Sequence, residues 1–373
     1  MLAMIRRRPS DDAGGERSVS DLPAISLFSG AGGLDLGVER AGYKILTAVE
    51  YEVDAAETLR RNFPHAVVLE GELTTLSTRT ILSAARLTKG EAELLVGGPP
   101  CTPFSKSGYW LEYKRSGKDP DASLLDEYLR VLEEARPRTF ILENVFGLAY
   151  RNHNATWYKR LLKTCRALNY NVSAEVLLAA DYGVPQRRQR VFVVGSLDGT
   201  PNFPRPTHTG PHETRRRIDS ELPRHVTTGE TIGDLADRDD LAEEREAVNG
   251  KYGHLLPEIP PGDNYLYFTA KRGHPAPKFE WRKRYWSFLL KLDPDQPSPT
   301  IQAQPGPYVG PFHWNDRRLR LPEIKRLQTF PDEYEIVGSR RSAQVQLGNA
   351  VPPALAELVA RAARYSGKER QKS

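Results

Sequence analysis

Over the first half of the chain, short apolar runs alternate with longer stretches of helical periodicity. AISLFS (24–29), KILTAVE (44–50), ELLVGG (93–98), TFILENV (139–145) and RVFVVG (190–195) read as buried strands. Between two of them, SLLDEYLRVLEEARP (123–137) places Leu124, Leu125, Tyr128, Leu132 and Ala135 on one stripe of a helix. Ser123 is expected to cap its first turn, with Asp126 three residues later, and Pro137 to stop it. Strand–helix alternation predicts an α/β fold with a mostly parallel, doubly wound sheet covered on both faces.

The pattern changes after Ser196. Residues 197–320 are rich in Pro, Gly, Arg, His and aromatics and have weak periodicity, which predicts a smaller, loop-rich domain with short strands. QLGNAVPPALAELVARAAR (346–364) restores an amphipathic helix, with Pro352 and Pro353 suited to its first turn. Its apolar face needs a partner, and the first domain is the natural one. The expected division is a flexible tail over 1–22, a large domain over 23–196, a small domain over 197–325, and a hinge and returning helix over 326–373. Repeats of 20–50 residues are absent, which argues against a solenoid. So are an apolar run near the ~18 residues of a membrane span and a secretory h-region near the start. The presence of only Cys101 and Cys165 argues against both a disulfide framework and a thiolate-rich zinc site. No metal and a reducing cytoplasm are expected. The net charge of +5 is compatible with a polyanionic partner but does not identify one.

Candidate chemistry lies at the ends of the predicted strands. The first runs into FSGAGGLDLG (28–37), where Gly30, Gly32 and Gly33 allow a sharp turn and close approach of a ligand. Glu50 ends the second strand and suits hydrogen bonds to ribose hydroxyls. Each feature has a plain structural reading, a tight turn and a solvated strand end; together they favour a nucleoside-bearing cofactor without saying which. VGGPPCTPFS (96–105) puts Cys101 at the carboxyl end of a strand, where open α/β sheets bind ligands, and the stretch to about Ala122 reads as a mobile loop. Cys165, in RLLKTCRALNY, reads instead as a small buried hydrophobe. Glu143 closes TFILENV as either a surface group or a catalytic acid. PQRRQRVFVVG would align Gln186, Arg188 and Arg190 on one strand face, either to orient a carboxylate or phosphate or as a solvated basic edge. KFEWRKRYW (278–286) and Arg215, Arg216 and Arg217 offer basic groups, in the first case interleaved with aromatics, for phosphates and sugars.

In this order the motifs resemble the cytosine-C5 DNA methyltransferase family. FSGAGGLDLG resembles its first motif, GGPPCTPFS its nucleophile motif, and ENV, QRRQR and QLGNAVPP three more. RLPEIKRLQTFPD (320–332) resembles the segment that braces its small domain. One departure is visible: Gly71-Glu72-Leu73 stands where the family usually has Gly-Asp-Ile. The resemblance implies an S-adenosylmethionine-dependent methyltransferase fold with a smaller target-recognition domain. It implies methylation of carbon 5 of a flipped-out cytosine in a specific double-stranded DNA sequence, through a covalent cysteine intermediate. Catalysis would fall to Cys101, Glu143, Arg188 and Arg190, the two arginines holding Glu143 and the flipped nucleotide. S-adenosylmethionine would be held by Phe28, Gly30, Gly32, Gly33, Leu34, Glu50, Glu72, Leu73, Pro100, Leu124, Asn349, Ala350 and Val351. DNA would meet Ser105, Gln186, Arg215, Arg217, Arg282 and Arg284. A monomer is expected, with a companion restriction endonuclease acting independently. A transfer-RNA methyltransferase of the same family is the rival reading, but its usual Cys-Phe-Thr tripeptide is absent. A non-catalytic DNA-binding relative would have been free to lose Cys101, Glu143 or the glycine loop, and all stand.

Overall fold

The computed structural model describes residues 22–100, 121–145, 155–210 and 222–365. Its chain order begins β1 (Leu22–Leu27), α1 (Gly33–Arg40), β2 (Tyr43–Glu50), α2 (Val53–Asn62), β3 (Val67–Glu70), α3 (Thr78–Ala84) and β4 (Leu94–Gly97). It continues with α4 (Asp121–Ala135), β5 (Thr139–Val145), α5 (Ala155–Ala167), β6 (Asn171–Leu178), β7 (Gln186–Arg187) and β8 (Gln189–Ser196). Beyond these come α6 (Thr228–Ile232), β9 (Ser298–Pro299), α7 (Leu321–Leu327), α8 (Arg340–Asn349) and α9 (Pro353–Tyr365).

Seven strands form one sheet in the order β3-β2-β1-β4-β5-β8-β6. The five strands from β3 to β5 are parallel; β8 runs antiparallel between β5 and β6. Alternation along β1 sends Ala24 to one core, with α1 and α9, and Ile25 and Leu27 to the other, with α4 and α5. Both faces are thus covered, as the alternating pattern predicts. Strand order reverses between β1 and β4, the place where sheets of this kind open a crevice at their carboxyl ends. Register makes that crevice level. Val49, Leu27, Gly97 and Leu142 lie in one row across four strands. One residue further along stand Glu50, Phe28, Gly98 and Glu143.

Several expectations need correction. Two strands of the large sheet stand outside those read from the sequence: the edge strands β3, only four residues long and half-exposed, and β6, whose sequence is partly polar. Helix α4 begins at Asp121, which places Ser123 inside the first turn rather than at its cap. The stretch 346–364 is not one helix. α8 ends at Asn349, and α9 starts at Pro353, whose missing N–H is tolerated only in a first turn. The apolar face of α9 does pack on the large sheet's layer, against α1. Gly37 permits this approach: a Cβ there would fall 2.6 Å from the Pro353 oxygen and the Glu357 nitrogen.

Among the described residues between β8 and α7 there is little regular structure, mainly α6, short 3-10 turns and β9. A separate apolar cluster forms there around Leu255, Leu256, Ile259, Tyr265, Phe268, Phe288 and Phe312. Edge-on contacts such as Tyr265–Phe288 at 5.9 Å and Phe279–Phe288 at 5.7 Å hold it. Among the described residues no helix is long and apolar enough to cross a membrane.

Candidate active site

The loop after β1 carries the first half of the site. Phe28 and Gly30 take left-handed backbone angles, φ 56° and 54°, and Gly32 follows at 76° as the N-cap of α1. Space around the glycines differs sharply. A Cβ on Gly32 would lie 2.6 Å from the Tyr334 hydroxyl, and one on Gly33 would strike the Val351 carbonyl and approach Phe330 to 2.9 Å. At Gly30 a Cβ would meet nothing within 4 Å. Gly32 and Gly33 therefore face packed protein, whereas Gly30 faces open space. Tyr334 ties the loop from behind, donating to the Ala31 carbonyl at 2.6 Å.

Glu50 is not a solvated strand end. It is buried, and its carboxylate accepts from Gly30 N at 2.7 Å and from Tyr51 N and Glu52 N at 2.9 Å each. Burial raises its pKa, and the three amide donors partly offset this. Gly71 N donates to the Glu50 carbonyl at 2.9 Å, which brings Glu72 and Leu73 beside it. Glu72 is exposed and Leu73 is buried. Ala350 and Val351 reach the same place from the far end of the chain, close against Gly33. Asn349 is exposed nearby, and Leu124 is half-buried on α4. Tyr51, which the motif reading passed over, is 59% exposed directly after Glu50, an unusual setting for a large aromatic ring. Its position beside the acidic strand end was the available signal.

The second half forms where β4 and β5 end. Gly98 lies against Glu143: a Cβ there would sit 3.1 Å from Oε2. Asn144 Nδ2 donates to the Pro99 carbonyl at 3.1 Å. The ENV strand end thus fixes the backbone at Pro99, two residues before Cys101. Cys101 itself, with Ser105, Arg215, Arg216, Arg217 and the loop up to Pro120, lies outside the described residues.

Glu143 is buried and pairs with Arg190, Nε to Oε1, at 2.8 Å. Arg190 sits opposite Val145 on β8, diagonal to Glu143 on the same face. Burial raises the pKa of Glu143, while Arg190 and then Arg188 pull it back. A carboxyl so balanced can carry a proton closer to neutrality than a solvated one.

Arg188 and Gln186 depart from expectation. No single strand aligns them with Arg190, because β7 ends at Arg187 and β8 begins at Gln189. The Arg188 guanidinium is fully buried and donates to the carbonyls of Gly348 at 3.0 Å, Asn349 at 3.2 Å and Ile301 at 3.4 Å. Its charge acts on Glu143, and these bonds hold the end of α8. Gln186 is also fully buried, donating to Gln328 Oε1 at 2.9 Å and accepting from Ile301 N at 3.1 Å. It braces the chain and has no surface for DNA.

In the small domain, the 278–286 stretch divides by role. Phe279 packs into the aromatic cluster. Arg282, Arg284, Tyr285 and Trp286 are exposed, the last two at 75% and 60%. Tyr265 Oη donates to the Arg284 carbonyl at 2.9 Å, and Asn264 Nδ2 to the Trp286 carbonyl at 2.8 Å. The backbone beneath these exposed side chains is therefore fixed.

Comparison with known proteins agrees with this geometry. The family model for C-5 cytosine-specific DNA methylase matches residues 22–364. The Type II methyltransferase M.SacI of Streptomyces achromogenes is 48% identical, over 92% of this chain and 92% of its own. M1.HphI of Haemophilus parahaemolyticus, also a Type II methyltransferase, is 33% identical over 91% of this chain and 86% of its own. The fold is shared with the crystal structure of S. pombe Dnmt2 methyltransferase, with TM-score 0.55 at 15% identity, covering 94% of this chain and 100% of that one. The glycine loop, the buried glutamate on its arginine and the match across both ends of the sheet converge: this chain belongs to the C-5 cytosine-specific DNA methylases, and its reaction is methylation of DNA cytosine at carbon 5.

Proposed function

We propose that the chain takes the methyl group from S-adenosylmethionine and places it on a cytosine swung out of a specific duplex sequence, through a covalent adduct with Cys101. The observation that carries this reading is the level row of strand ends. It sets the cofactor loop and Glu50 on one side and Glu143, with the backbone leading to Cys101, on the other. The open space at Gly30 and the buried acidic group bonded to its amide fit a nucleoside with ribose hydroxyls. Phe28, Gly30, Glu50, Glu72, Leu73, Ala350 and Val351 would hold the cofactor, with Tyr51 against its base. When bound, the cofactor supplies an electrophilic methyl group.

Carbon 5 of cytosine is a poor nucleophile. Attack of the Cys101 thiolate on carbon 6 pushes electron density to carbon 5, which then takes the methyl group. Glu143, whose burial raises its pKa against the pull of Arg190, hydrogen-bonds N3 and the exocyclic amine and offsets charge developing on the ring. Arg190 positions Glu143, and the charge of Arg188 also acts on it. Loss of the carbon-5 proton and expulsion of Cys101 complete the cycle. Ring atoms are inaccessible within a duplex, so the base must be extruded first. Exposed Arg282 and Arg284 would meet DNA, with Tyr285 and Trp286 beside them. The Type II naming of the relatives supports a companion endonuclease acting independently.

The test is incubation with radiolabelled S-adenosylmethionine and either bulk DNA or transfer RNA, followed by mapping of modified cytosines. The reading expects label at carbon 5 within one short DNA sequence. Label confined to transfer RNA would overturn it.

A further inference from the structure

Asp35 is a buried ionisable group that the reaction above leaves without a task. It stands in the first turn of α1, two residues beyond Gly33, and is fully buried. Among the described residues neither carboxyl oxygen has a hydrogen-bond partner. The hydroxyls of Ser26 and Ser29 lie close enough to ease its burial, but Ser29 donates to Ser26 at 2.8 Å and neither hydroxyl brings a charge. The charged groups that face it share its sign: Glu39 on α1 and Glu50 at the end of β2. From the segment behind the loop comes the Tyr334 phenol. β4 carries no ionisable group. α9 brings Glu357, Arg361 and Arg364, but its arginines are bonded to the carbonyls of Arg40 and Ala41 at the opposite end of α1. Burial above all pushes the Asp35 carboxyl up to about 7; the Ser26 and Ser29 hydroxyls pull against it, and the like charges of Glu39 and Glu50 add to it.

A dry carboxyl without a counter-charge destabilises a fold once it ionises. Asn would fill the same space without that cost. The location, immediately beneath the candidate cofactor loop, suggests what the acid is for. We propose that the missing counter-charge arrives with the cofactor: Asp35 is a positioning residue whose carboxylate favours cationic S-adenosylmethionine over S-adenosylhomocysteine, the product whose sulfur carries no charge. Binding of the cation releases the Asp35 proton to solvent. Methyl transfer removes the positive charge, the carboxylate takes a proton back from solvent, and the product is held less tightly. The inference rests on the cofactor reading given above.

Calorimetric titration with two ligands tests it: S-adenosylhomocysteine, and sinefungin, an analogue with an amine in place of the sulfonium. For the wild type, preference for the cationic ligand should widen on the order of tenfold between about pH 6 and about pH 8. Near pH 6, sinefungin should release more protons than S-adenosylhomocysteine, read from the dependence of binding heat on buffer ionisation. Asp35→Asn should abolish both differences while binding S-adenosylhomocysteine within about threefold of wild type. The same variant controls for Glu50, which is also buried and stays in place, so any ligand-linked change at Glu50 persists in it. An Asp35→Asn protein that keeps the widening preference would overturn the proposal. So would one that loses both ligands together, since Asp35 would then be only a structural support. Wild-type protein that binds neither ligand would remove the cofactor reading itself, and this inference with it.

Discussion

Glu143 and Asp35 are both buried acids, yet their surroundings set opposite expectations. Glu143 has Arg190 at 2.8 Å and lies against the GPP backbone, so its cost of burial is partly offset. Glu143→Gln keeps shape but cannot supply a proton, and single-turnover methyl transfer should fall ~10²–10⁴-fold with much smaller loss of DNA affinity. A rate within a few-fold of wild type would count against its role. Asp35 has no such cation. Its folded pKa, about 7, exceeds the ordinary 3.8, so the folded state binds the proton more tightly than the unfolded state does. The stability this contributes is fully present below the unfolded value and is lost as pH rises through the folded one. Ligand-free Asp35→Asn should therefore gain on wild type steadily between about pH 4 and about pH 7, reaching a few kcal/mol by the three-unit difference. Denaturant unfolding across pH checks this; a constant offset would contradict it. Neither acid was equally legible. Glu143 announced itself through ENV, whereas Asp35 looked like an ordinary first-turn acid until its burial was known.

The glycine loop and the helices behind it show how much of an element a sequence conveys. Three glycines signalled a tight turn, but not which of them faces a ligand. Gly33→Ala would drive a Cβ into the Val351 carbonyl, and Gly37→Ala would force α1 from α9. Each should destabilise the fold by about 1–3 kcal/mol or more through overpacking. Gly30→Ala meets no protein atom, so its folding cost should stay near the roughly 1–2 kcal/mol of a left-handed alanine. Its Cβ instead enters the space assigned to the cofactor and should lower cofactor affinity strongly. Thermal melts paired with cofactor titration separate the two classes; Gly30→Ala with unchanged affinity would contradict the assignment. The central strands were legible because burial on both faces makes them uniformly apolar. β6 was not, because an edge strand tolerates polar residues in its pattern, and β3 was not, because its apolar run is only three residues long. Alternation alone also failed at Arg188, where a two-residue strand gives way to the next and turns the guanidinium inward.

At the scale of the molecule, chemistry and DNA reading should separate. Glu143, Arg190 and the glycine loop sit on the large sheet, while exposed Arg282 and Arg284 stand on the aromatic cluster of the 197–325 region. Arg282→Ala should either weaken binding to all sequences and reduce the salt slope, or relax one position of the target site. Grafting residues 197–325 into a relative should transfer target sequence but not reaction chemistry; an unchanged target would argue against the division. The order of motifs made the reaction legible from the chain, but not the packing that turns Gln186 into a brace, since its partners at Gln328 and Ile301 are more than a hundred residues away. The central claim is covalent catalysis by Cys101. Cys165 is a sound internal control, because complete burial pushes its thiol up to about 12 and keeps it unreactive. DNA carrying 5-fluorocytosine at the target position, incubated with the enzyme and S-adenosylmethionine, blocks the final loss from carbon 5 and should trap a stable adduct. Mass spectrometry of the digested adduct should place the nucleotide on Cys101; an adduct on Cys165, or none with methylation intact on ordinary DNA, would contradict the account.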